Sequence, residues 1–376
     1  MFFLIMVARV TSLSLYGSLS YALVLIAVLI GFSDLGLRDF FLSKEGLEKK
    51  YSKSIILLLC SSLVFIFIFL FQYLILEFNA DLKKIYLLLI FEAFALGVFH
   101  KIIYYKYQSD NLLSIFSLYD FFIKMIPLAI KVILLYETKD LFLSISVAAI
   151  LTFCLYFFWL CNLKIISFID LGFYFFELKN VIRDIKCWGV YTISFVSFFL
   201  YFGADKLVVN YFLGIEQLAI YSAAMGFMAI GQIFVGVLWS LYMPRLSRGE
   251  IIFSYHKFIF IISSLSIVLV LVYYLFSTFF YHYIYPTEYQ SGANVLKLAS
   301  FYFIFRFPNV VMEIYYIVDG NYKFFVKMRV FCGFISLGIS FVLLPFLGII
   351  GAALSLVLSE MLLTIGSLLW RRRKSF

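Results

Sequence analysis

Residues Ile55–Leu76 read IILLLCSSLVFIFIFLFQYLIL and contain no charged side chain. A second run of this kind is Ile259–Phe280, IFIISSLSIVLVLVYYLFSTFF. An α-helix needs about 20 mainly apolar residues to cross the hydrocarbon of a bilayer. Spanning barrel strands are shorter and alternate apolar with polar residues, whereas these two runs are apolar throughout. Backbone polar groups in lipid need internal partners, so both segments predict membrane-spanning helices.

Composition extends this prediction to the whole chain. Of the 376 residues, 65% are hydrophobic and 14% are charged, and the mean hydropathy is +1.05. Soluble domains are nearer half apolar and a quarter charged, and a water-soluble fold has too little interior to bury this much apolar surface. The sequence therefore predicts an all-α fold, a polytopic membrane helix bundle.

The helix-length criterion predicts eleven complete spans and a remnant of another. The apolar stretch Met1–Ala8 is too short to span, and it lacks the charged start and cleavage site of a signal peptide. We interpret it as the outer end of a first helix whose beginning is missing from the sequence. The complete spans are expected near residues 17–33, 55–76, 85–100, 112–136, 141–161, 188–209, 217–240, 257–280, 294–317, 330–346 and 349–370.

A restored first helix would give twelve spans, which indicates two six-helix halves, a common construction of transporters with parallel repeats. The longest connecting loop falls midway along such a chain. We therefore expect an N-terminal bundle over 1–162 with a truncated first helix, a cytoplasmic linker over 163–187 and a C-terminal bundle over 188–376.

The distribution of basic residues predicts the orientation. Of the thirty Lys and Arg residues, twenty-one lie in one set of alternating loops and in the C-terminal tail, whereas the other set of loops holds four. Loops rich in Lys and Arg stay on the cytoplasmic side. We expect a multi-pass protein of the bacterial cytoplasmic (inner) membrane with a cytoplasmic C-terminus. The scattered basic residues also argue against nucleic acid as the partner behind the net charge of +9.

Motifs for catalysis or metal binding are absent from the sequence. The five cysteines form no CxxC pair, and the three histidines, His100, His256 and His282, fall at span ends on different loops. No nucleotide-binding loop or nucleophile elbow is present. We expect no catalytic residue, no metal and no cofactor, and therefore not an enzyme.

Charged residues inside spans are the candidates for function, because they are costly in lipid and usually face a bundle interior. Asp120, Lys124 and Lys131 are spaced by four and seven residues, which places them on one face of a helix that Pro127 can kink. A substrate cavity is one interpretation of this face. The alternative is an Asp120–Lys124 pair with Lys131 reaching outward to the interface.

Further charged residues occur in four other predicted spans. Arg306 is deep in its span and is a candidate either for a ligand contact or for a salt bridge to Glu92 or Glu360. Glu92, Asp120 and Glu360 are in turn candidates for ion coupling or for structural pairs. Asp205 and Lys206 lie near the outer end of one span, and as neighbours they point about 100° apart on a helix.

Several short motifs resemble the signature of the O-antigen flippases (Wzx), which belong to the multidrug/oligosaccharidyl-lipid/polysaccharide exporter superfamily. In that family an Asp and a basic residue end the seventh helix, a turn of the Ile-Tyr-Ser type enters the eighth, and a Pro closes it. The matching segments here are Gly203–Val209 (GADKLVV), Leu218–Ala224 (LAIYSAA), Met243–Ser247 (MPRLS), Gly348–Ala353 (GIIGAA) and Tyr16–Gly17.

The resemblance implies a twelve-helix, two-bundle transporter that moves undecaprenyl-diphosphate-linked oligosaccharide repeat units to the outer leaflet by alternating access. It also implies a cationic cavity, and polysaccharide polymerase and chain-length regulator as partners beside the substrate and membrane lipid. Asp205 and Lys206 match motif positions. Lys124, Lys131 and Arg306 fit the cavity by charge and depth, since a diphosphate in a low-dielectric site needs positive partners.

Two alternatives to a flippase remain open. A drug or metabolite efflux transporter of the same superfamily would be expected to hold a compact acidic cation site, whereas the candidates here are mainly basic. A membrane polysaccharide polymerase or glycosyltransferase would be expected to carry a large external loop with catalytic side chains. The longest predicted outer loop, Tyr281–Ala293, contains one carboxylate, Glu288, and no Arg.

Overall fold

The structure is a computed structural model that describes residues 2–34, 54–75, 79–109, 112–163, 203–247, 255–319 and 321–374. Within these ranges α-helix predominates, with one short π-helical and one short 3-10 segment, and no strand is present. The prediction of an all-α polytopic membrane bundle is confirmed.

Thirteen α-helices are described. In chain order they are α1 Phe2–Val10, α2 Leu13–Asp34, α3 Ser54–Ile75, α4 Ala80–Phe94, α5 His100–Ser109, α6 Leu113–Thr138, α7 Leu141–Asn162, α8 Ala204–Ser247, α9 Tyr255–Ile284, α10 Gly292–Ser300, α11 Tyr302–Val318, α12 Tyr322–Leu347 and α13 Ile349–Lys374. A π-helical turn, Ala95–Phe99, joins α4 to α5, and a 3-10 turn, Thr287–Tyr289, precedes α10.

Eight helical segments in the described ranges are long and apolar enough to cross a membrane. Helix α6, with 26 residues, has the length for a ninth but carries Asp120, Lys124 and Lys131 within its apolar sequence. Large apolar side chains face outward on these helices, as expected where lipid is the solvent; Phe260 and Phe346, for example, are 73% and 83% exposed. The predicted span 188–209 and the predicted linker 163–187 lie mostly outside the described residues.

Two long helical segments contain breaks, and one of these breaks interrupts a predicted span. Gly214 has φ +82° inside α8, so this helix consists of two helices that meet at a kink, close to the predicted boundary before residue 217. The predicted span 294–317 is likewise divided into α10 and α11 at Phe301. Glycine adopts positive φ without the steric penalty of a side chain, which explains the first break.

One compact unit comprises Tyr21–Val196. Helix α7 packs against both α4 and α6, and α6 also contacts α5. The connection between α6 and α7 is short, because Lys139 adopts a left-handed conformation at the end of α6 and the Asp140 carboxylate accepts hydrogen bonds from the first amides of α7. At the opposite end of α6 and α7, the core includes Phe99, Phe116 and Trp159.

The other compact unit comprises Met1–Ser20 together with Ser197–Phe376. Helix α13 packs along α12 and contacts α10 and α11, and α9 packs on α10 and α11. Helix α1 and the start of α2 therefore group with residues late in the chain. The division into 1–162, 163–187 and 188–376 stays a prediction.

The N-terminal segment is attached to the end of α9 by polar and aromatic contacts. The Arg9 guanidinium donates through Nε to the carbonyl of Ile284 at 2.7 Å and also donates to the carbonyl of Tyr283. A cation at a helix C-terminus satisfies exposed carbonyls and is favoured by the helix dipole. The ring of Tyr16 packs edge-on against Tyr289, with centroids 5.6 Å apart.

Gly17 is expected to be intolerant of a side chain. A Cβ at Gly17 would lie 2.2 Å from the backbone carbonyl oxygen of Ile215, and backbone has little freedom to move away. Gly17→Ala is therefore expected to reduce the free energy of unfolding by about 1–3 kcal/mol, the usual range for overpacking. The measurement is the thermal unfolding of purified protein in detergent. The matched control is Gly338→Ala, where a Cβ meets no heavy atom within 4 Å; equal stability of the two variants would contradict the prediction.

Candidate functional site

Three polar side chains, one from each of three helices, surround Asp120 in the unit that comprises Tyr21–Val196. Lys124 Nζ lies 2.6 Å from Asp120 Oδ2, and the Tyr156 hydroxyl donates to Asp120 Oδ1 at 2.6 Å. His100 Nε2 lies 3.2 Å from Asp120 Oδ1 and 3.3 Å from Lys124 Nζ. We call these four residues the Asp120 cluster.

The helices position this cluster in two ways. Asp120 and Lys124 are one turn apart on α6, as their spacing predicts, and Tyr156 approaches from α7, which packs along α6. His100 begins α5 directly after the π-helical turn Ala95–Phe99. Such a turn contains an extra residue, so it rotates the next helix by about 100° relative to an unbroken α-helix.

Lys131 pairs with a different helix. It is buried, with 8% of the residue exposed, and its ammonium lies 3.3 Å from Glu92 Oε2 on α4. Removing a lone ammonium from water is expensive, and a nearby carboxylate offsets part of that cost. Lys131 and Glu92, both candidates from the sequence, are therefore brought together within this unit, and Lys131 does not reach outward.

Arg306 pairs with Glu360 in the other unit. Arg306 Nη1 on α11 lies 3.4 Å from Glu360 Oε1 on α13, and the Asn309 amide donates to the Glu360 backbone carbonyl at 3.1 Å. Arg306 is 6% exposed and Glu360 is 1% exposed. Of the two partners considered from the sequence, the structure pairs Arg306 with Glu360. The second carboxylate oxygen of Glu360 is buried with no hydrogen-bond partner among the described residues.

A second buried ion pair in this unit was not predicted. The Arg329 guanidinium on α12 donates to the Glu313 carboxylate on α11, and both residues are buried. The sequence predicts a span from residue 330 to 346, which leaves Arg329 in the loop before it. Helix α12 begins at Tyr322, so Arg329 is two turns inside it.

Asp205 connects two segments of the motif series. The Tyr221 hydroxyl donates to Asp205 Oδ2, and the backbone amide of Lys206 donates to Asp205 Oδ1 at 2.8 Å. Asp205 is 3% exposed. The carboxylate is thus held by Tyr221 of the LAIYSAA segment. This contact could have been expected only if the two segments were known to be adjacent in space.

The basic candidates differ in how accessible they are. Lys124, Lys131, Arg306 and Arg329 each lie within 4 Å of a carboxylate. A paired cation is available to an anionic ligand only if its carboxylate is neutralised or displaced. The Lys124 side chain is 44% exposed and that of Arg306 is 8% exposed, so Lys124 is the cation that a ligand can reach most readily. In the described part of the chain no group of His, Cys, Asp and Glu side chains is arranged to hold a metal ion.

Comparisons with known proteins establish the fold. No protein-family model and no curated protein sequence matches the chain. A multidrug resistance MATE family transporter of the MOP superfamily, in an inward-facing conformation, matches with a TM-score of 0.72 and 14% identity, over 99% of this chain and 92% of that one. The lipid II flippase MurJ, in an inward closed conformation, matches with a TM-score of 0.68 and 14% identity, over 99% and 87%.

An outward-facing MATE family transporter matches less closely, with a TM-score of 0.58 over 96% of this chain and 85% of that one. Since identity to each of these structures is 14%, the likeness concerns the fold. The chain is a multi-pass helical membrane protein with the fold that these transporters and the flippase share.

Proposed function

We propose that this protein is a flippase for undecaprenyl-diphosphate-linked oligosaccharide repeat units of the O-antigen type. It would move them from the cytoplasmic to the periplasmic leaflet by alternating access. The observation that carries the proposal is Lys124, a partly exposed ammonium in the middle of a 26-residue helix. A charge at this depth is costly in lipid and indicates a ligand or ion path. A diphosphate is a ligand that needs such a partner.

The fold supports the same proposal, because one similar structure is by its name a lipid II flippase. The motif series supports it as well, since Asp205 and Tyr221, from two separate segments of that series, are in contact. Lys131 and Arg306 complete the proposed set of substrate-facing cations, with Lys206 beside Asp205. Their carboxylate partners Glu92 and Glu360 are the proposed sites of ion coupling or structural pairing.

Drug or metabolite efflux is the second candidate, and one observation favours it. The TM-score of 0.72 to a multidrug resistance transporter exceeds the 0.68 to the flippase. An acidic cation site would be expected in that case. The carboxylates Glu92, Asp120, Glu313 and Glu360 each face a basic side chain, so each would have to leave that partner before it could bind a cation.

A polymerase or glycosyltransferase is a weaker alternative. The predicted outer loop before α10 is a short turn, Thr287–Tyr289, in which Tyr289 is buried. This connection offers little room for a catalytic domain. We further propose the bacterial inner membrane as the location, a cytoplasmic C-terminus, and association with a polysaccharide polymerase and a chain-length regulator.

Complementation tests the proposal. The full chain is expressed in a host that lacks its own O-antigen flippase and contains the genes for the matching sugar unit. Surface polysaccharide, measured by gel and by antibody binding to whole cells, is expected to rise from background. Failure of the correctly inserted chain, in cells that a known flippase restores, would contradict the proposal. Dye accumulation in the same cells would then test efflux.

A further inference from the structure

One ring nitrogen in the Asp120 cluster has two partners that it cannot serve at once. His100 Nε2 lies 3.2 Å from Asp120 Oδ1 and 3.3 Å from Lys124 Nζ. Nε2 donates a hydrogen bond when it carries a proton and accepts one when it does not, while a lysine ammonium only donates and a carboxylate only accepts. The contact with Lys124 therefore requires an unprotonated Nε2, and the contact with Asp120 requires a protonated one.

The protonation state of His100 therefore determines whether Lys124 can stay beside the ring. When the ring is neutral with a bare Nε2, Lys124 bridges His100 and Asp120. When the ring is doubly protonated, Nε2 donates to Asp120 and its positive charge faces the Lys124 ammonium at close range. Asp120 keeps the hydrogen bond from Tyr156 in either case. Lys124 has the most exposed side chain of the three charged or titratable groups, at 44% against 22% for His100 and 15% for Asp120, so it is the group that moves away.

The charged and titratable groups around His100 belong mainly to the Asp120 cluster. The titratable or charged groups near the ring within the described residues are Asp120, Lys124, Tyr156, Tyr104 and Lys101. The Lys101 ammonium donates to the carbonyl of Ile30 at 2.8 Å, which holds it toward α2. Counting Asp120, Lys124 and His100, the cluster changes from neutral to singly positive when the ring takes up a proton.

We propose that His100, Asp120, Lys124 and Tyr156 form a proton-gated anion site that binds a phosphate or diphosphate group when His100 is protonated. Lys124 is the group that contacts the anion. His100 and Tyr156 are positioning residues: both contact Oδ1 of Asp120, and the positive charge of the protonated His100 ring repels the Lys124 ammonium 3.3 Å away. The phosphate belongs either to the lipid-linked substrate, in which case the inference rests on the proposed function, or to a phospholipid headgroup, which has the same chemistry.

The sign of the coupling follows from charge. Protonation adds a positive charge where the anion binds, so each ligand increases the affinity for the other by the same factor. A proton bound here therefore accompanies the anion and is not exchanged for it. The site adjusts affinity to pH, and it does not itself use an inward proton gradient to drive export.

Binding measurements on the full chain test the site. The protein is placed in nanodiscs of phosphatidylcholine and titrated with undecaprenyl diphosphate or, in a separate arm, with phosphatidylglycerol, between about pH 5.5 and pH 8, where histidine titrates. Affinity is expected to increase as pH falls, by at most about tenfold per pH unit because one proton is linked. The increase is expected to be absent in His100→Gln, whose side chain stays neutral, and retained in the control His282→Gln. Titration of the probe itself is common to all variants and cancels in the comparison.

A second measurement observes His100 directly. The chain contains three histidines, so selective ¹⁵N labelling gives few ring signals, and the one missing in His100→Gln is that of His100. The saturating probe is expected to raise the pH midpoint of this signal. Lys124→Gln is expected to remove that shift, which a merely structural role for Lys124 would leave in place.

The outcomes separate this inference from the proposed function. pH-dependent binding of phosphatidylglycerol alone supports the site with a headgroup as its ligand. Equal pH dependence in wild type and His100→Gln, or no binding of either probe, would overturn the site even if complementation succeeds. Failed complementation beside His100-dependent binding would overturn the proposed function and leave the site.

Discussion

Arg306→Met is expected to lower the free energy of unfolding by about 3–5 kcal/mol, because removing one member of a buried ion pair leaves the other charge uncompensated. Glu360 is 1% exposed, and its Oε1 lies 3.4 Å from Arg306 Nη1. A change of this size is a factor of roughly 100 or more in the equilibrium between folded and unfolded protein. Chemical unfolding of the detergent-solubilised protein, together with the folded fraction from size exclusion, provides the measurement.

Two variants make this experiment specific. Arg306→Met combined with Glu360→Leu removes both charges and is expected to recover most of the stability, since apolar replacement of a whole buried pair is often neutral. Lys297→Met is the matched control, because Lys297 is also a cation within a spanning segment but lies over the Tyr274 ring, at 6.0 Å. Its expected effect is about 1 kcal/mol or less. If Arg306→Met were as stable as Lys297→Met, the pair would not support the fold.

The double variant also separates stability from transport. If it folds normally and still restores surface polysaccharide, the Arg306–Glu360 pair is structural. If it folds normally and restores none, one of the two side chains acts on the substrate or on a coupled ion. A single substitution at either position cannot make this distinction, since instability alone would remove activity.

Apolar run length was sufficient to predict the helices but not their internal breaks. Helix α9 covers Tyr255–Ile284 where the sequence predicts 257–280, because nothing in that run interrupts it and lipid forces the backbone to pair internally. The division at Phe301 has no glycine or proline at the break, and the π-helical turn Ala95–Phe99 contains a single glycine, Gly97, which is also common inside membrane helices. Packing against neighbouring helices decides such features, and periodicity does not reveal it.

The sequence predicted which site residues share one face of a helix. It did not predict which residues from different helices meet. Spacing indicates that Asp120 and Lys124 share a face, and the structure contains that pair. His100 and Tyr156 reach the same carboxylate from α5 and α7, and their sequence positions contain no information about that approach. Arg329 was expected in a loop for a related reason. A basic residue near a helix end resembles a loop residue until its partner, here Glu313, is known.

Lys124→Ala is expected to reduce surface polysaccharide in the complementation assay to near background while membrane levels of the protein stay normal. Polysaccharide is expected to fall because the variant lacks the cation that is proposed to contact the substrate diphosphate. Membrane levels are expected to stay normal because of the surroundings: the Lys124 side chain is 44% exposed, so its removal leaves no buried cavity, and Asp120 keeps its contacts with Tyr156 and His100. Quantitative immunoblotting of membranes provides the normalisation.

The matched control is Lys84→Ala, which removes an exposed lysine of α4 that lies over the Phe142 ring, at 5.6 Å, away from the Asp120 cluster. It is expected to support normal polysaccharide. Lys124→Arg keeps the charge but changes the shape of the donor, and retention of activity there would show that charge alone is required. Normal polysaccharide from Lys124→Ala would exclude Lys124 as a substrate contact and leave the fold unaffected. Because Asp120 would then lack its nearest cation without consequence, the same result would also remove the charge argument on which the cationic cavity rests.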